Sequence, residues 1–168
     1  MDDFVKMSGK FDSTNKTNKI AYYSIAPKEN PIAVLQFCHG MAEHSKRYEG
    51  FGEFLASKGI VFCICDHLGH GESINSNDDL GYFAKKNGWR NVVEDAAKFT
   101  EIMKEQYKDI PYFIAGHSMG SFVARSYISL HNDLVDGAII IGTGNATPLI
   151  AAGTVVAKTI ALFKGERY

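Results

Sequence analysis

The most chemically suggestive stretch of the chain is Gly116-His117-Ser118-Met119-Gly120. It follows an apolar run, Tyr112 to Ala115, and precedes a helical stripe of Gly120, Val123, Ala124, Tyr127 and Leu130. A serine between two glycines at a strand-to-helix junction can sit on a sharp turn that keeps its hydroxyl exposed, as a nucleophile requires. The helix that starts behind it offers unpaired backbone N–H groups to negative charge developing on an attacked carbonyl oxygen. Ser118 is therefore the candidate nucleophile. Gly116 and Gly120 are the glycines that permit the turn.

Two further loops carry reactive residue types. His39-Gly40-Met41-Ala42-Glu43-His44-Ser45-Lys46-Arg47-Tyr48 directly follows the apolar run Ala33 to Cys38. Acyl transfer to a serine needs two N–H donors for the oxyanion, one from the residue after the nucleophile and one from a loop of this kind. Met119 and Met41 are the candidates, and His39 reads as a hydrogen-bonded organiser of its loop. Asp66-His67-Leu68-Gly69-His70-Gly71-Glu72-Ser73 follows Ile60 to Cys65. Its two histidines and two acids raise the question of a metal. They are scattered over a glycine-rich loop, and no further Cys/His pair with metal spacing accompanies them. Asp66 and Ser73 read instead as residues that fasten the loop by local hydrogen bonds.

The elements that must position these loops are legible from patterning. Ala33 to Cys38, Ile60 to Cys65, Tyr112 to Ala115 and Ala138 to Ile141 are strand-length, near-continuously apolar and bounded by turn residues. That is the pattern of strands covered on both faces, as in a parallel sheet. Helical stripes separate them: Tyr48, Phe51 and Leu55, then Trp89, Val92, Val93, Ala96, Phe99, Met103 and Tyr107, then the stripe after Ser118. Alternation of strands and helices implies βαβ units with right-handed crossovers, which gather the loops after each strand along one sheet edge. Near the start, Lys10 to Asp12 and Ile20 to Ser24 flank a polar turn, which reads as an antiparallel hairpin at the sheet edge.

Composition narrows the classes. The chain has 168 residues with 18 basic and 19 acidic side chains, hence a net charge of -1 and no basic excess for a nucleic-acid partner. Charged residues at 22% and hydrophobic ones at 45% are globular values that exclude disorder as the main state. The odd count of 3 cysteines, two of them in an apolar run, reads as reduced buried thiols. With acidic residues at the start and no apolar leader, the expectation is a cytoplasmic protein. The uncharged stretch Gly137 to Ala157 is long enough to span a bilayer. Gly142, Thr143, Gly144, Asn145, Thr147 and Pro148 interrupt it, so a buried strand, a turn and a new amphipathic helix fit better.

The three motifs together, HGMAEHSKRY (His39 to Tyr48), DHLGHGES (Asp66 to Ser73) and GHSMGS (Gly116 to Ser121), resemble the monoacylglycerol lipase-like branch of the α/β-hydrolase superfamily, also grouped with the S33 serine aminopeptidases. The resemblance covers roughly residues 10 to 168. It implies an α/β-hydrolase fold, a mostly parallel sheet with helices on both faces. It also implies a serine hydrolase acting on monoacylglycerol or lysophospholipid esters, a small-molecule acyl ester as substrate, and no cofactor or metal. A mobile cap over an apolar acyl pocket is a further implication. Residues 1–147 then form the N-terminal part of the core and 148–168 the start of the cap, whose apolar segment Leu149 to Phe163 could touch a membrane surface transiently. Ser121 departs from the pattern, since relatives often carry glycine there.

The family orders its triad as serine, acid, histidine. The histidine after Ser118 is His131, and the acids are Asp133, Asp136 and Glu166. His131 lies thirteen residues along the helix leaving the serine, roughly 20 Å away at a helical rise. A general base must come within about 3 Å of its proton. His39, His67 and His70 sit at the correct edge but match no base of the family. Eight strands are usual in the family and six can be placed here, so the expectation is the N-terminal part of a longer hydrolase, truncated after about six strands and inactive alone. Competing readings are a serine aminopeptidase or prolyl peptidase on the same fold, and a non-catalytic hydrolase-fold remnant.

Overall fold

The computed structural model describes residues 4–145 and 148–165. The acidic start, the core-to-cap boundary at 147, Glu166 and the last two residues lie outside the described residues.

Six strands form one sheet in the order β1-β2-β4-β3-β5-β6. They are β1 (Phe4–Asp12), β2 (Lys19–Pro27), β3 (Ala33–Cys38), β4 (Ile60–Cys65), β5 (Tyr112–His117) and β6 (Gly137–Ile141). β3 pairs in parallel with β4 and β5, and β5 in parallel with β6. β1 and β2 form the expected edge hairpin, longer at both ends than the sequence pattern indicated, with β2 antiparallel to β4.

The helices are α1 (Glu49–Ala56), α2 (Gly88–Gln106), α3 (Met119–Leu130) and α4 (Pro148–Lys164). Alternation along the strands divides the core. Leu35, Phe37, Phe62 and Ile64 face the α1 side. Val34, Cys38, Val61 and Cys63 meet the stripe Val92, Val93, Ala96, Phe99 and Met103 of α2 and Val123, Ala124 and Tyr127 of α3. This double cover is why those strands are apolar on both faces. One polar side chain is built into the core. Gln36 donates to the Ala96 carbonyl at 2.9 Å and accepts the Thr100 and Tyr112 hydroxyls at 2.9 and 2.6 Å, so its burial leaves no amide atom unpaired.

Two expectations need correction. Trp89 does not join the buried stripe of α2, being 58% exposed. It stands in the first turn of the helix, before the buried part of the stripe begins at Val92. β6 is not covered on both faces: it is the edge strand, with α3 on one side, and Ile139 and Ile141 stay 48% and 44% exposed. Along α4, Val155, Val156, Ile160, Leu162 and Phe163 are all exposed. No helix among the described residues is long and apolar enough to cross a membrane.

Candidate active site

The loops after β3, β4 and β5 meet at the C-terminal edge of the sheet, where open α/β sheets bind ligands. Ser118 lies between β5 and α3 with φ 53° and ψ -119°, in a region that costs a non-glycine residue on the order of 1–3 kcal/mol. The surroundings enforce that turn. A β-carbon on Gly116 would strike the Gly120 carbonyl, and one on Gly120 would strike the Cys38 carbonyl, so the chain passes only because neither exists. Ser118 N–H donates to the Ile141 carbonyl at 3.0 Å. Its carbonyl accepts the Ser121 hydroxyl at 2.6 Å. Ser121 is fully buried, so the departure from glycine adds a tie behind the turn.

The loop after β3 packs against this turn: a β-carbon on Gly40 would lie 3.4 Å from Ser118 Cβ. Met119 opens α3, so its N–H is one of those that a helix leaves without an internal partner. Met41 follows Gly40, whose carbonyl lies 2.7 Å from His39 Nδ1. His39 Nε2 accepts the His67 N–H at 3.0 Å, which requires the neutral ring with its proton on Nδ1. Burial pushes His39 down to about 4, partly opposed by the Gly40 carbonyl. Burial, reinforced by His39 and His70, also holds His67 well below the usual imidazole value. The neutral His39 ring therefore ties the Gly40 carbonyl to the His67 backbone, in the organising role expected of it.

Asp66 and Ser73 fasten the next loop as the sequence suggested. The Asp66 carboxylate accepts the Ser45 N–H at 2.6 Å and the Glu72 N–H at 2.8 Å. The Ser73 hydroxyl donates to the Asp66 carbonyl at 2.7 Å and accepts the Ala21 N–H at 2.9 Å. Among the described residues no group of three His, Cys, Asp or Glu side chains is placed to hold a metal ion.

Sequence reasoning missed Glu43. Its Oε2 accepts the Gly40 N–H and the Tyr48 hydroxyl, each at 2.7 Å, and lies 3.7 Å from His117 Nδ1. Arg47 Nε approaches Oε1 at 3.4 Å. Burial raises this carboxyl, but the Tyr48 hydroxyl, the Gly40 N–H and the Arg47 guanidinium outweigh it and hold the group below its usual value. The available signal was the three-residue spacing from Gly40 to Glu43, the span over which a carboxylate folds back onto a backbone N–H in a capping box.

No imidazole hydrogen-bonds Ser118 Oγ among the described residues. His131 caps α3 and lies 3.1 Å from Glu94 on α2. His70 Nδ1 lies 3.0 Å from the Leu68 carbonyl. Beside Met119 an apolar hollow of about 120 Å³ opens between α2 and α3, walled by Phe83, Trp89, Val92, Val93, Phe122 and Val123. A larger cleft, about 1010 Å³, lies between the hairpin turn and residues 75–91 and does not include Ser118.

Comparison with known proteins places this geometry. The sequence model described as "Serine aminopeptidase, S33" matches residues 29–165. The chain is 34% identical over 98 residues to a monoglyceride lipase homolog of Monkeypox virus, a match covering 58% of this chain and 33% of that protein. It is 26% identical over 134 residues to monoglyceride lipase of Mus musculus, covering 80% of this chain and 41% of that protein. A solved structure of a thermostable carboxyl esterase from Bacillus coagulans, in complex with glycerol, superposes with a TM-score of 0.85 at 31% identity, covering 96% of this chain and 52% of that one. The chain thus spans a third to about half the length of these relatives. The strand order, the glycine-flanked turn at Ser118 and the matched span agree on one conclusion: the chain belongs to the S33 serine aminopeptidase family of the α/β-hydrolase superfamily.

Proposed function

We propose that this chain carries the nucleophile half of a serine hydrolase that cleaves carboxylic esters of the monoacylglycerol or lysophospholipid type. The observation that carries the reading is the backbone of Ser118, held at positive φ between β5 and α3 with the Gly40 loop against it. Monoglyceride lipases and a carboxyl esterase among the relatives support an ester as substrate. In the proposed reaction, Ser118 Oγ attacks the ester carbonyl carbon and loses its proton to a general base. The N–H groups of Met41 and Met119 stabilise the oxyanion. Collapse expels the alcohol, which takes the proton, and leaves an acyl-serine. Water then attacks the acyl carbon, releasing the fatty acid and restoring Ser118. The apolar hollow beside Met119 suits the first carbons of an acyl chain. The α4 segment belongs to the cap in this reading, and its exposed apolar residues suit reversible contact with a lipid surface.

An imidazole within about 3 Å of Ser118 Oγ is required for turnover, and the described residues place none there. The 168-residue chain alone is therefore expected to hydrolyse essentially no ester, because loss of the base costs several orders of magnitude. Adding the C-terminal half of a full-length relative should produce hydrolysis of p-nitrophenyl esters that Ser118→Ala abolishes. Robust hydrolysis by the chain alone would mean that His39, His67 or His70 acts as base, and activity surviving Ser118→Ala would overturn the nucleophile assignment. The peptidase reading is favoured by the family to which the chain belongs. A strong preference for aminoacyl amides over esters would select it.

A further inference from the structure

Resting on the reading of Ser118 as nucleophile and Met41 as oxyanion donor, we propose that Glu43 is a positioning residue that sets the direction of the Met41 N–H by holding Gly40. Oxyanion stabilisation depends on donor geometry fixed before the reaction, with N–H groups about 2.7–3.1 Å from where the charge will develop. A loop containing Gly40 and followed by Ala42 at φ 58° has no regular ladder to fix it. Two side chains supply what the ladder would. Glu43 Oε2 takes the Gly40 N–H at 2.7 Å, and His39 Nδ1–H donates to the Gly40 carbonyl at 2.7 Å. That carbonyl and the Met41 N–H belong to one planar trans peptide and point in opposite directions. Holding Gly40 at its N–H and at its C=O therefore fixes where the Met41 N–H aims.

Glu43 is itself held. The Tyr48 hydroxyl donates to the same oxygen at 2.7 Å, while Arg47 and His117 flank the carboxylate. Its side chain is 14% exposed, and bonds to a charged acceptor are about twice as strong as neutral ones. The absence of a β-carbon at Gly40 lets the carboxylate come this close to the backbone, since one there would lie 2.8 Å from Glu43 Oε2. The carboxylate thus joins the loop after β3 to the residue preceding Ser118, in contact with the machinery but not with the reacting carbon.

The test compares Glu43→Ala, Glu43→Gln, Tyr48→Phe and Ser118→Ala in the chain supplemented with the C-terminal half of a full-length relative, using a p-nitrophenyl ester. An amide nitrogen–proton spectrum of each reports Gly40 independently of activity. Glu43→Ala should lower kcat about 100-fold, as loss of one oxyanion donor does, with KM within about threefold. Glu43→Gln retains an acceptor oxygen for the Gly40 N–H and should recover kcat to within about tenfold of the original. Tyr48→Phe should lower kcat several-fold, which keeps the test open if Glu43→Ala does not fold. The Gly40 amide resonance should move upfield in Glu43→Ala and stay near its original position in Glu43→Gln. Unchanged kcat and an unmoved Gly40 resonance in Glu43→Ala would overturn the proposal, as would Glu43→Gln falling as far as Glu43→Ala. Hydrolysis surviving Ser118→Ala would instead overturn the underlying nucleophile reading. Loss of hydrolysis in Ser118→Ala with full activity in Glu43→Ala would overturn the role of Glu43 alone.

Discussion

The carbonyl of Cys38, the last residue of β3, lies directly against the α-carbon of Gly120 in the first turn of α3, so that no β-carbon fits between them. This contact seats the helix N-terminus on the sheet and brings the Ser118 turn beside the Gly40 loop. Gly120→Ala should therefore be strongly destabilising, because the obstacle is backbone and cannot swing aside. The expected loss is about 3 kcal/mol, or a fall in thermal midpoint of roughly 6–12 °C by scanning calorimetry. A midpoint within 2 °C of the original would contradict this account of the turn.

Ser118 carries the opposite prediction. Its positive φ is a strain that glycine would not feel. Ser118→Gly should raise stability by about 1 kcal/mol, after allowing for the larger entropy of glycine in the unfolded chain. Urea unfolding would show this as a higher midpoint at unchanged slope. A lower midpoint would mean that the Ser118 side chain contributes more to the fold than its backbone costs.

The neighbouring buried imidazoles make the protein acid-sensitive. His39 and His67 rings lie 4.2 Å apart, buried and neutral. An unfolded histidine takes up a proton near pH 6.5, whereas the folded His39 resists until about 4. Between these values the unfolded state binds more protons, so stability falls as the pH is lowered from 6.5 toward 4. His39 alone accounts for a loss on the order of 3 kcal/mol across that window, and His67 adds to it in the same direction. Urea midpoints measured from pH 7 to pH 4 should decline accordingly. His39→Gln should flatten part of the decline, and an unaltered slope in that variant would sink the assignment.

The thiols should be inert in the folded protein. Cys38, Cys63 and Cys65 are free and buried. Burial pushes Cys38 and Cys63 up to about 12 and Cys65 well above its usual value, so almost no thiolate exists at neutral pH. Ellman's reagent should modify none of the 3 cysteines in buffer and all of them in guanidinium. Rapid reaction of any one in the native state would contradict this burial.

Much of this architecture was legible from local rules. The runs Ala33 to Cys38 and Ile60 to Cys65 declare double-covered strands because near-continuous apolarity is needed only where both faces are packed. Gly116 and Gly120 announce the turn at Ser118 because that passage excludes a β-carbon at both positions. These are constraints on a residue and its near neighbours, so residue type records them. Tertiary structure alone decided what depends on distant partners. Trp89 and Ile139 stay exposed, and no periodicity contains that information. The same holds for Glu43. Its identity permits many partners, but the packing of the β3 loop against the Ser118 turn brings Gly40, Tyr48, Arg47 and His117 to one carboxylate. Strand order, settled by pairing energies over the whole sheet, set that meeting point.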